Sequence, residues 1–72
     1  MPDSIQLLDV VALTKDLPAE NLHRGQVGTV VEILAPNAFE VEFIDNQGQT
    51  YALLALKTGQ LLRLQYEPAL AA

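Results

Sequence analysis

Residues 24–44 read RGQVGTVVEILAPNAFEVEFI, and the fold turns on how that run is phased. Before the punctuation at Ala35, Pro36 and Asn37, Thr29, Val31 and Ile33 alternate with Val30, Glu32 and Leu34. Beyond it, Phe39, Val41 and Phe43 alternate with Glu40 and Glu42. Period-two alternation of β-branched and aromatic residues, bounded by Pro, Asn and Gly, marks paired strands. A three-residue loop at 35–37 predicts a hairpin with Ile33 facing Phe39, Val31 facing Val41 and Thr29 facing Phe43 on one side. Glu32 then faces Glu40, and Val30 faces Glu42, on the other. This register gathers both Phe residues and most of the β-branched ones on an inner face. Gly25 and Gly28 stand at the entry, where a positive φ or a close backbone approach at a corner calls for glycine.

Upstream, DVVAL at 9–13 reads as a short first strand with Val11 and Leu13 inward, after a frayed start over 1–6. TKDLPAENLHR at 14–24 is a long polar connection with a helical turn at 18–21, tucked down by Leu17 and Leu22. Loops of this length between adjacent strands often carry the binding function of small β modules. Downstream, DNQG at 45–48 is a turn with Gly48 in the left-handed position. TYALLAL at 50–56 is a fourth strand with apolar groups on both faces. A four-residue loop at 45–48 pairs Phe43 with Thr50 and Val41 with Ala52. Ala52, Leu54 and Leu56 then point inward, and Tyr51, Leu53 and Ala55 outward; a three-residue loop inverts that. KTGQ at 57–60 is a tight, 3₁₀-like turn before a last strand, LLRL, at 61–64.

The expected fold is therefore all-β: a small five-stranded SH3-like barrel over residues 1–65, with a long loop after the first strand and a tail over 66–72. Five strands enclose no ligand-sized cavity, so the interior is packed side chains. Seventy-two residues make one domain near the lower limit of independent folding. The chain has no cysteine, so its 50% hydrophobic content must hold it together without disulfides. Nine acidic residues against four basic ones give a net charge of −5, and Lys15, Arg24, Lys57 and Arg63 are scattered singly. That distribution argues against nucleic acid, whose binders present a basic stripe to the phosphates. No signal-like leader or membrane-length apolar run is present, so a cytoplasmic location with no membrane partner is expected.

The ordered set DVVAL at 9–13, RGQVGTVVE at 24–32, FEVEF at 39–43, Leu56, and Leu61 with Leu62 resembles a bacterial family catalogued as domain of unknown function 4926. The resemblance runs from about Ile5 to Leu64 and implies an SH3-like barrel, with no catalytic or binding residue attached to it. It also implies a protein partner, in the manner of small antitoxin-like proteins encoded beside their targets. A shorter likeness, through Gly25, Gly28 and Val30, is to the KOW element of ribosomal and transcription proteins. It implies an RNA or ribosome contact through the 24–29 loop, yet Glu32, Glu40 and Glu42 stand where such elements carry basic residues.

No constellation for catalysis, cofactor or metal emerges. His23 is the sole histidine, in a polar loop, and with Asp16 and Glu20 it has no metal-ligand spacing. Glu40 and Glu42 share a strand face that offers no cleft to shift their protonation. A non-enzyme is expected. Glu32, Glu40 and Glu42 form an acidic outer face, which serves either solubility or docking of a basic partner. Tyr51 opposite Glu42 and Leu53 opposite Glu40 would give that face an apolar centre, and with Val30, Leu34 and Ala55 a patch large for a monomer. Three coverings are open: the 14–24 connection, a second copy in a homodimer, or a partner protein. Finally, the ending ALAA, with Leu70, Ala71 and Ala72, matches the terminus of the trans-translation tag gripped by AAA+ unfoldases. It stands either as a degron or as an ordinary small-residue terminus.

Overall fold

The computed structural model describes residues 4–64. Five antiparallel strands form one sheet: β1 Val10–Leu13, β2 Val27–Ala35, β3 Ala38–Ile44, β4 Thr50–Lys57 and β5 Leu61–Arg63. Their order is β4-β3-β2-β1-β5. The all-β expectation holds, but the sheet is open: among the described residues β4 and β5 are its two edges and do not pair. One core nonetheless spans both edges, since Leu56 of β4 and Leu61 of β5 join Val11, Leu13, Leu22, Val30, Phe39, Val41 and Phe43 in a single buried cluster. A 3₁₀ turn at Thr58–Gln60 joins the two edge strands, as its sequence predicts.

The long connection also lies as expected. Its 3₁₀ turn occupies Pro18–Glu20, and a backbone bridge between Leu17 and Leu22 folds Leu22 into the core. The start of the chain differs from expectation. Ile5 packs against the core, and the Asp9 carboxylate accepts from the Gln6 N–H (2.8 Å) and the Arg63 Nε (2.9 Å). The Leu8 N–H donates to the Val30 carbonyl at 2.7 Å. A contact fifty-four positions long, such as Asp9 to Arg63, leaves no mark on local patterning.

Leu8 lies in a turn at φ +70° with its side chain 68% exposed. A branched residue there clashes with its own backbone, whereas glycine does not. Leu8→Gly should raise unfolding stability by about 0.5–1 kcal/mol in urea denaturation, the relieved strain exceeding the added freedom of the unfolded chain.

The central hairpin carries the main correction. Ile33 pairs with Phe39 and Glu32 with Glu40, as expected, but the tip closes at Ala35 opposite Ala38, around Pro36 and Asn37. Leu34 is thereby an extra residue, and Val31 is a second one, between the pairs Val30–Val41 and Glu32–Glu40. Each such bulge shifts the strand by one position. From Val31 back towards Gly28 the phase is reversed: Val30 is fully buried and Val31 is 38% exposed, while Ile33 keeps its place opposite Phe39 yet is 48% exposed near the tip. Thr29 pairs with Glu42 instead of facing Phe43.

Gly28 supplies the physical reason. A Cβ there would lie 2.8 Å from Val41 Cγ1, 2.9 Å from the Glu42 carbonyl oxygen and 3.0 Å from Phe43 Cδ2. The bulge brings this side-chain-less position beneath Phe43, which fills the space and is fully buried. Without the bulge, Thr29 would occupy that row. Gly25 answers to the other glycine role, with φ +93° and open space around it.

Candidate docking face

The outer side of β2, β3 and β4 is set by the register. Because Phe39, Val41 and Phe43 are buried, Glu40 and Glu42 project outward between them. Across the sheet, Glu32, Glu40 and Ala55 form one outward row, and Thr29, Glu42 and Leu53 form the next. Glu32 and Glu40 are directly opposed, an arrangement that costs up to about 1 kcal/mol between like charges. Glu42 is tethered, its carboxylate accepting from the Thr50 hydroxyl.

On β4 the inward set is as expected: Leu56 is buried, and Ala52 and Leu54 pack partly against the core. The pairing differs by two residues, with Phe43 opposite Ala52 and Val41 opposite Leu54. The cause is a five-residue loop, 45–49, together with an irregularity that makes Tyr51 an extra residue between the pairs Ile44–Thr50 and Phe43–Ala52. Asp45 shapes that loop, its Oδ1 accepting from the N–H groups of Gln47 (2.8 Å) and Gln49 (2.9 Å), with Gly48 at φ +80°.

Two expected neighbours change in consequence. Leu53, not Tyr51, lies opposite Glu42, and Ala55, not Leu53, lies opposite Glu40. Tyr51 is half exposed, with its ring 6.2 Å from that of Phe43 and its hydroxyl accepting from Gln26 Nε2 at 3.1 Å. It therefore stands fixed at the end of the core. Val30 leaves the expected patch because it is buried, whereas Leu34, Leu53 and Ala55 remain exposed. Val31, expected inside, adds to the exposed apolar surface of the hairpin, while Ile33 is exposed on the side of its partner Phe39. Two neighbouring valines carry no sign of which one turns inward; the clue lies in Gly28, read together with the size of Phe43.

In the 14–24 connection, Asp16 Oδ1 accepts from the Arg24 N–H at 2.8 Å, and Gln26 Oε1 accepts from the His23 N–H. These bonds tie the loop to its own return. Among the described residues, no three His, Asp or Glu side chains gather in a metal-binding arrangement. No helix there is long and apolar enough to cross a membrane. Leu70, Ala71 and Ala72 lie outside the described residues.

Residues 7–63 match the family described as Domain of unknown function (DUF4926). The chain belongs to this family. The match takes in all five strands and the connections between them, and stops at the last residue of β5. No curated protein and no solved structure matches the chain.

Proposed function

We propose that this protein is a non-catalytic interaction module that docks a basic partner protein through the outer face of β2, β3 and β4. The observation that carries this reading is the register. It puts three carboxylates, Glu32, Glu40 and Glu42, beside exposed Leu53 and Ala55 on adjoining strands. Charges that steer an encounter next to apolar groups that hold it are a common composition for a protein interface. The presence of an opposed Glu pair at a cost in stability also favours a use for it. Glu32, Glu40 and Glu42 steer and Leu53 anchors, whereas Tyr51, held by Gln26 beside the Phe43 ring, belongs to the end of the core and leaves the expected docking set. A cytoplasmic, antitoxin-like subunit acting on a partner encoded nearby is the sharper form of this reading.

The test is co-purification from the native host with wild type and with the Glu40→Lys, Glu42→Lys double variant. Glu40→Lys places a cation opposite Glu32, so the variant should fold at least as well as the wild type. One stoichiometric basic protein, present with wild type and lost with the variant, is the expected result. RNA or ribosomes retained by both, and released steeply by salt, would instead assign function to the 24–29 loop.

A further inference from the structure

We infer that the partner contributes an extended segment alternating apolar and basic residues, which adds to the free edge of β4 as a sixth strand. This rests on the docking reading above and specifies its mode. Among the described residues β4 pairs only with β3, and no backbone bond from another segment reaches its far side. Alternate N–H and C=O groups along eight residues therefore face outward, ready to pair with another chain.

The usual protections of an edge are missing from β4. TYALLALK holds no proline and no acidic residue, and its single charge is Lys57 at the very end. Its irregularity, at Tyr51, touches only the first turn of the strand. The opposite edge is built differently. β5 has three residues, and Arg63 on it is paired with Asp9 at 2.9 Å. One edge is short and charged; the other is long and bare.

The side chains around β4 say what would fit. Inward, Ala52 and Leu54 are only partly buried, so apolar residues of an added strand would complete the cover of the core. Outward, the added strand would lie beside Leu53 and Ala55, with Glu42 and Glu40 one strand further in. That is two strand spacings, about 10 Å, within reach of a lysine or arginine laid along the apolar surface. A second copy fits poorly. Its β4 would bring apolar Leu53 and Ala55 to the positions that need cations, together with another net charge of −5. β-strand addition, with pockets reading alternate side chains, is an established mode of peptide recognition.

The experiment is amide hydrogen exchange by NMR on the full chain, with a short peptide alternating lysine and valine as the probe. Two controls accompany it: the same peptide N-methylated at alternate backbone positions, and one alternating glutamate and valine. Alternate β4 amides should slow with the first peptide and with neither control. Affinity should fall roughly tenfold in the Glu40→Lys, Glu42→Lys variant. Leu53→Lys, an outward change that spares the core, should abolish binding. Equal binding of the N-methylated peptide, or no binding while the co-purified partner still depends on Glu40 and Glu42, would overturn strand addition and leave the docking face standing. Loss of that dependence would remove the docking face as well. A concentration-dependent dimer with β4 amides protected in the absence of peptide would give the edge to a second copy. Protection in the free monomer, lost on deleting residues 65–72, would give it to the chain's own tail.

Discussion

Phe43→Ala should remove a large share of the protein's stability. Phe43 is fully buried, lies over Gly28, and contacts the ring of Tyr51, so its removal opens a void where β2, β3 and β4 meet. Truncating a buried phenylalanine costs about 3–5 kcal/mol. At about 0.05–0.15 kcal/mol per residue, a 72-residue domain holds only roughly 4–11 kcal/mol. The midpoint of thermal unfolding, followed by circular dichroism, should fall by about 15 °C or more. A fall of only a few degrees would mean that the core is not organised around this side chain.

Gly28→Ala is the second large effect, and it tests the bulged register directly. The added methyl meets the Glu42 carbonyl at 2.9 Å, a backbone atom that cannot swing aside like the end of a side chain. Val41 and Phe43 crowd it from the same side. Overpacking of this kind costs about 1–3 kcal/mol, and the upper part of that range is expected here. Gly25→Ala is the matched control. It has open space and a φ of +93°, so only backbone strain of about 1–2 kcal/mol applies. Equal, small losses at the two positions would argue for the unbulged pairing, in which Gly28 has no special neighbour.

The hairpin shows where sequence reading succeeds and where it stops. The pairs Ile33–Phe39 and Glu32–Glu40 follow from alternation and an assumed three-residue loop, because the two-residue loop and the extra Leu34 offset each other. The bulge at Val31 does not, because Val30 and Val31 are interchangeable in pattern and differ only in what lies across from them. β4 shows the converse. Its loop is one residue longer than expected and Tyr51 is extra, so the pairing slips by two. A two-residue slip preserves the faces, and Ala52, Leu54 and Leu56 still turn inward. The candidate site inherits both outcomes. The opposed glutamates were legible, whereas the partner of Glu42, Leu53 in place of Tyr51, was hidden by an irregularity that side-chain pattern does not encode. The free edge of β4 depends on strand order, which arises from long-range pairing. Its lack of charge between Thr50 and Lys57, by contrast, is plain in the sequence.

Hydrogen exchange on the isolated protein–partner complex, compared with the free chain, tests the docking face most directly. Protection is expected along β3 and β4, at Glu40, Glu42, Leu53 and Ala55, with the 24–29 loop exchanging as it does in the free protein. Protection confined to residues 24–29, with β3 and β4 unchanged, would contradict the docking reading.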